Sequence, residues 1–288
     1  MDKIEKLFIL LFAFFCAKNT PEIPKAEEAL KKRYYSKALF ILDPISHKKN
    51  PRIKYLLGKA HLGLKNPKEV ARYFDEAVKL DSSYTDSVIK ACINRGIELS
   101  RIGEYEVALC ILKYAEKFNK NKLMTRGFSA MGDIYKAYGE IGKAEYYYNL
   151  AIKNCNKEKE REKMWIHLME LYEKSKDWEN ACRVCLEAMR KDKLWHLQIR
   201  YTEYSYRFAE ELFKQGKIDS ANIVMEEASK LEIPNMLRAD FYFLYGEILL
   251  AKGELEKAKE KYKLVLSCEI QSPSVRTRAR ERLRMIGR

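Results

Sequence analysis

Glycine and proline are scarce in this chain, with 12 and 7 among 288 residues. No stretch alternates apolar and polar side chains for the length of a strand, so sheet architectures are not expected. Ala, Glu, Lys, Leu and Tyr are plentiful instead, a composition that suits helices. The seven cysteines, Cys16, Cys92, Cys110, Cys155, Cys182, Cys185 and Cys268, are odd in number and scattered, unlike a dense disulfide framework. Most fall on apolar helix faces, where a free cysteine packs as a small hydrophobe and speaks for a reducing compartment. Phosphate loops, H-E-x-x-H and dinucleotide fingerprints are missing. His47, His61, His167 and His196 stand isolated, without a nucleophile or paired carboxylate beside them. The one C-x-x-C, Cys182-Arg-Val-Cys185, lacks two further ligands at zinc spacing and the strand–helix context of a redox motif. The expectation is therefore no catalytic residue, no metal and no cofactor.

Long hydrophobic runs are also missing, save one. Leu7 to Ala17 is unbroken and apolar, preceded by Lys3 and Lys6 and followed by a polar segment with Pro21 and Pro24. A charged start, a run of 11 and a polar exit match a secretory signal peptide, and the run is short for a membrane span. The reading is a signal-like segment over 1–17 and a linker over 18–24, against the alternative of a buried first helix. Cys16 resembles the lipidated cysteine of bacterial lipoproteins, although Phe15 stands where that family has a small residue.

The remainder repeats. Residues 51–81 read as two amphipathic helices joined at Lys65-Asn66-Pro67, with Gly58 on the first and Ala77 on the second where backbones approach. A small second-helix position recurs at Ala38, Val70, Ala108, Ala144, Ala181, Ala221 and Ala258, spaced 32 to 40 residues apart. Twelve residues earlier stand Ala26, Gly58, Gly96, Gly132, Met169, Ala209 and Gly246; four later stand Leu42, Phe74, Leu112, Tyr148, Cys185, Met225 and Tyr262. A further small position lies seven on, at Ala77, Ala115, Ala151, Ala188 and Ala228, with Ile45 and Val265 in the end repeats. Small residues let two helices pack closely, and the larger ones are expected to fill the gap to the next hairpin. Gly103, Gly139, Gly216 and Gly253 are expected at helix ends with positive φ. This pattern resembles the tetratricopeptide repeat, a helical hairpin of 34 residues.

The resemblance implies an all-α, right-handed superhelical solenoid of about seven hairpins over 25–271, closed by a C-terminal capping helix over 272–288. In that last segment Val275, Ala279, Leu283 and Ile286 form an apolar stripe, and the remainder is rich in arginine. The resemblance also implies a non-catalytic scaffold that binds a protein segment in a concave groove lined by the first helix of each hairpin. Asn94 and Arg126 fall on positions where some relatives clamp a carboxylate, but Tyr55, Lys59 and Ala130 depart from that clamp. The ninth position of repeats four to seven holds Asp133, Glu170, Glu210 and Glu247, which would line one groove as an acidic strip for a basic partner segment. Tyr206 and Phe243, one turn earlier, would be its apolar anchors. Against this, Glu170 and Glu210 have Lys174 and Lys214 four residues on, as in ordinary helix-surface pairs.

The leader points to an exported, lipid-anchored envelope protein attached through its N-terminus; a cytosolic scaffold or regulator is the alternative. The net charge of +14 leaves an RNA-binding array as a distant third. The aromatic and arginine-bearing stretch from Trp195 to Phe208 could stack on bases, but a long helix packing on its neighbours explains it as well.

Overall fold

The computed structural model describes residues 21–118, 120–230, 239–268 and 273–287. Among them are 15 α-helices, three short 3₁₀ turns and no strand. Their contacts divide into two units, 1–155 and 156–288, where the sequence reading had one array. The signal-like segment, Cys16 included, lies outside the described residues.

The first unit contains four hairpins: α1 (Glu22–Lys31) with α2 (Tyr35–Leu42), α3 (Pro51–Gly63) with α4 (Pro67–Leu80), α5 (Thr85–Arg101) with α6 (Tyr105–Glu116), and α7 (Asn121–Ala137) with α8 (Ile141–Asn154). The second contains three, α9 (Glu158–Ser175) with α10 (Trp178–Asp192), α11 (Gln198–Lys214) with α12 (Ile218–Ser229), and α13 (Ala239–Ala251) with α14 (Leu255–Ser267). A single helix, α15 (Pro273–Ile286), packs on the last pair. Each unit is a solenoid of stacked hairpins, as the repeat pattern requires.

Local chemistry sets the boundaries. Pro51 occupies the first turn of α3, and the Asn50 side chain accepts from the backbone N–H groups of Arg52 (2.9 Å) and Ile53 (3.3 Å). Asp177 caps α10 in the same way, accepting from Asn180 N–H at 3.1 Å. The expected linker over 18–24 gives way at Glu22, because Pro24 falls in the first helical turn, where a missing N–H costs nothing. The first hairpin is the irregular one. Pro44 ends α2 at Leu42, and Ile45 packs from a 3₁₀ turn instead of a helix.

Every hairpin turns on one left-handed residue placed five before the small second-helix position. Gly103, Gly139, Gly216 and Gly253 have φ of +75 to +84°, as expected. The other three turns put Arg33, Lys65 and Lys176 in that conformation, with φ of +58 to +61°. In all seven, the next residue's N–H returns to a helix carbonyl five positions earlier in the chain. Examples are Asn66 to His61 O (3.1 Å), Glu104 to Leu99 O (3.0 Å) and Asp177 to Tyr172 O (2.9 Å). The backbone bond, and not the glycine, defines the turn.

The small-residue registers are the buried seam. Every alanine in them is fully buried, as are Val265 and the larger residues Leu42, Phe74, Leu112, Tyr148, Met225 and Tyr262. The larger residue fills a gap in its own hairpin as well as facing the next, where Phe74 meets Tyr114 with ring centroids 6.4 Å apart. A Cβ added to Gly96 would lie 2.6 Å from Leu112, one on Gly132 2.6 Å from Tyr148, and one on Gly246 2.6 Å from Tyr262; Gly58 and Phe74 meet likewise. The fifth repeat reverses the sizes, with Met169 on the first helix and Cys185 on the second, both fully buried. Volume is traded across the seam rather than fixed at either position.

Candidate functional site

Each unit presents a groove lined mainly by the first helices of successive hairpins. In the first unit, α1, α3 and α5 enclose about 460 Å³. Tyr55 forms a wall by stacking on Phe74, with ring centroids 5.7 Å apart, and burial pushes its phenol up from the ordinary tyrosine range. The Lys59 ammonium lies 5.7 Å from the Tyr55 ring. Arg95 is fixed by three contacts: to the carbonyls of Leu62 (3.3 Å) and Gly63 (3.0 Å) at the end of α3, and to Glu98 (3.0 Å). Positive charge at a helix C-terminus satisfies carbonyls that the helix leaves open. Arg33 also reaches Glu98, at 3.1 Å. The lining thus sets Lys31, Arg33, Lys59, Lys90 and Arg95 against Glu98 alone among acids. Asn94 lies in this groove. Arg126, exposed on α7, is not among its lining residues.

The second unit's groove is larger, about 820 Å³, and runs along α9, α11 and α13. Tyr204 anchors it; the ring is buried and the hydroxyl donates to Glu173 at 3.0 Å. Tyr206 is half-buried with the Arg207 guanidinium 5.7 Å from its ring, and Arg207 donates to Glu203 at 3.1 Å. Ile199 lines the same space while 54% exposed, and Trp195 nearby in sequence is 55% exposed. Glu173, Glu203 and Asp240 stand against Arg200 and Arg207, with His196 paired to Glu162 at 3.1 Å. Most of the aromatic stretch from Trp195 to Phe208 therefore packs, with Tyr201 and Tyr204 buried and Trp195 the exposed ring.

The four ninth-position carboxylates are half-buried and do not stand as a free strip. Asp133 belongs to the first unit and accepts from the Tyr148 hydroxyl at 2.7 Å. Glu210 pairs with Lys214 at 3.2 Å, the ordinary helix-surface contact. Glu247 is the most engaged: Tyr262 donates at 2.6 Å, and Arg282 of α15 forks onto both oxygens at 2.8 and 2.7 Å. Glu170 lies on α9, half-buried. Of the proposed anchors, Tyr206 lines the second groove. Phe243 is 6% exposed and covered by the Arg278 guanidinium at 4.3 Å, so it is not an open anchor. The sequence signal for the tyrosine bonds was present: where a ninth-position acid follows a glycine, tyrosine stands fifteen residues on.

Cys182 and Cys185 are buried in α10. Cys182 Sγ lies 3.7 Å from Ser205 Oγ, and the Cys185 thiol donates to Leu197 O at 3.5 Å. Burial pushes both thiols up to about 12, the opposite of an activated thiolate. Among the described residues no group of three or more His, Cys, Asp or Glu could hold a metal ion, and no helix is long and apolar enough to cross a membrane.

The tetratricopeptide repeat family model matches residues 51–84 and 239–267. No curated protein matches. Among solved structures, a tetratricopeptide repeat protein from Parabacteroides merdae is 18% identical, covering 93% of this chain and 98% of its own, with a TM-score of 0.38. YrrB, described as a TPR protein with an unusual peptide-binding site, is 18% identical over 73% of this chain and 99% of its own, with a TM-score of 0.38. Pseudomonas aeruginosa pilF is 15% identical over 70% and 90%, with a TM-score of 0.34.

Proposed function

We propose that this chain, which carries tetratricopeptide repeats, is a non-catalytic protein-interaction scaffold that holds an extended partner segment in the groove of its second unit. The observation that carries this reading is that groove's composition. It joins an exposed apolar rim at Ile199, a half-buried tyrosine at Tyr206 and three carboxylates, Glu173, Glu203 and Asp240, which a partner's basic group would share with Arg200, Arg207 and the Tyr204 hydroxyl. Apolar side chains of a partner would anchor against Ile199 and Tyr206, and a lysine or arginine between them would meet the carboxylates. A basic segment thus remains the favoured partner, moved from the ninth-position strip to these three acids. The test is a peptide array probed with the full chain. Peptides alternating basic and apolar residues should bind, and Ile199→Asp and Tyr206→Ala should each weaken binding at least tenfold with helicity intact. Unchanged binding by both variants would sink the reading.

The second part of the proposal is location. The run from Leu7 to Ala17 behind Lys3 and Lys6 supports export, with lipid attached at Cys16. Fractionation should recover the protein in the envelope, and Cys16→Ser should abolish incorporation of labelled fatty acid. One observation favours the cytosolic alternative: among the described residues Cys92, Cys110, Cys182 and Cys185 are in no disulfide. An intact amino terminus on protein purified from cytosol would replace the envelope reading with that one.

A further inference from the structure

Lysine outnumbers arginine in this chain, 37 to 18, yet residues 273–288 hold six arginines and no lysine. The two residues are not interchangeable. The planar guanidinium fork matches phosphate and carboxylate oxygens in pairs, whereas an ammonium is a more strongly hydrated point charge. Two of the six are accounted for by the fold. Arg282 forks onto Glu247, and Arg278 covers Phe243. With Val275 and Ala279 buried, these contacts fix which face of α15 meets the hairpin.

Of the other four, Arg288 lies outside the described residues, which leaves Arg276, Arg280 and Arg284. All three are exposed, and none has an ion pair among the described residues. Their spacing of four places them along one side of the helix, about 6 Å apart per step. Glu281 is the only acid of α15, one against these three. Met285 is 65% exposed but lies about 100° round the helix from Arg284, on the flank where its sulfur meets the Arg282 guanidinium. We propose that this arginine row is a docking surface for an anionic phospholipid membrane, with the guanidinium groups on headgroup phosphates.

Two features favour a membrane over the other polyanions. The row lies on one outward helix side, so it suits a flat array of phosphates. It carries no aromatic side chain on which a nucleic-acid base could stack. The inference stands on α15 alone and does not depend on the groove or on the fate of the amino terminus.

The experiment is flotation of the full chain with phosphatidylcholine vesicles, with and without phosphatidylglycerol. The apolar run at residues 7–17 contributes to both vesicle types, so the readout is the preference for the anionic ones. Wild type should prefer anionic vesicles, and the preference should fall as salt rises. The triple variant Arg276→Gln, Arg280→Gln, Arg284→Gln should lose it by about a hundredfold, at about fivefold per arginine. Circular dichroism should show the triple variant folded, since it breaks no intramolecular ion pair; Arg280→Gln alone, with a fivefold loss, serves if it is not. A folded triple variant that keeps the anionic preference would overturn the proposal. So would wild-type binding to a single-stranded oligonucleotide or to polyglutamate that is tighter than to the vesicles.

Discussion

Tyr262 donates its hydroxyl to Glu247 at 2.6 Å from a ring seated in the gap that Gly246 leaves open. Tyr148 repeats the arrangement over Gly132, donating to Asp133 at 2.7 Å. Packing and polarity are thus settled together. The missing side chain admits the ring, and the adjacent carboxylate satisfies a phenol that would otherwise be buried without a partner.

The glycine is the part that cannot be changed quietly. Gly132→Val and Gly246→Val each place atoms against a buried tyrosine ring, and overpacking of this kind costs about 1–3 kcal/mol. Tyr262→Phe keeps the ring and removes one bond to a charged acceptor, for about 1.5–3 kcal/mol at most, because Arg282 still holds Glu247. Urea unfolding should give the valine variants lower midpoints than wild type. A valine variant with an unchanged midpoint would show that the ring has another place to go.

The left-handed turns predict the opposite sign. Lys65 and Lys176 hold a conformation in which a side chain costs about 1–2 kcal/mol. Glycine there relieves that cost but adds freedom to the unfolded chain. Lys176→Gly should therefore stabilise by about 0.5–1 kcal/mol, seen as a higher urea midpoint with unchanged slope.

How much of this was legible beforehand follows from what each signal depends on. The hairpin register was readable because its small residues repeat at fixed offsets within each unit, twelve and seven apart, whatever the loop lengths. Four turns were readable from glycine. The turn at Lys65-Asn66-Pro67 was readable as well, but the left-handed conformation of Arg33, Lys65 and Lys176 was not, because the backbone hydrogen bond leaves no mark on residue type. The candidate site was less legible. Asp133 and Glu247 looked like groove residues by position, but whether a carboxylate is free depends on a tyrosine fifteen residues on, and for Glu247 also on Arg282 in another helix. The basic lining around Lys59, Lys90 and Arg95 gathers from three helices that no single window of sequence joins.

Thiol chemistry should follow burial. Cys110 is exposed, whereas Cys92, Cys182 and Cys185 are buried and their thiols are raised by that burial. Iodoacetamide at pH 8, followed by peptide mass mapping, should label Cys110 within minutes and the other three only after denaturant is added. Rapid native labelling of Cys182 or Cys185 would mean that α10 opens locally, far below the global stability.

Alkaline pH should unfold this chain early, and the sign follows from the tyrosines. Burial raises the phenols of Tyr55, Tyr114, Tyr147, Tyr204 and Tyr262, and takes Tyr201 up to about 12, against about 10 in an unfolded chain. Tyr114 and Tyr262 are raised further because each donates to a carboxylate, Asp75 and Glu247. A raised folded value means that the native state keeps protons the unfolded state has lost. The contribution is complete below pH 10 and declines as pH rises through the folded values, so stability falls with increasing pH in that window. Thermal melts should be level from pH 8 to 9.5 and drop steeply above 10, with tyrosinate absorbance appearing together with loss of helix. Tyr201→Phe removes one such group and should make the decline shallower without moving the plateau by as much. Tyrosinate absorbance that develops fully near pH 10 while the helices persist would show these rings to be open to solvent, contrary to the packing of both units.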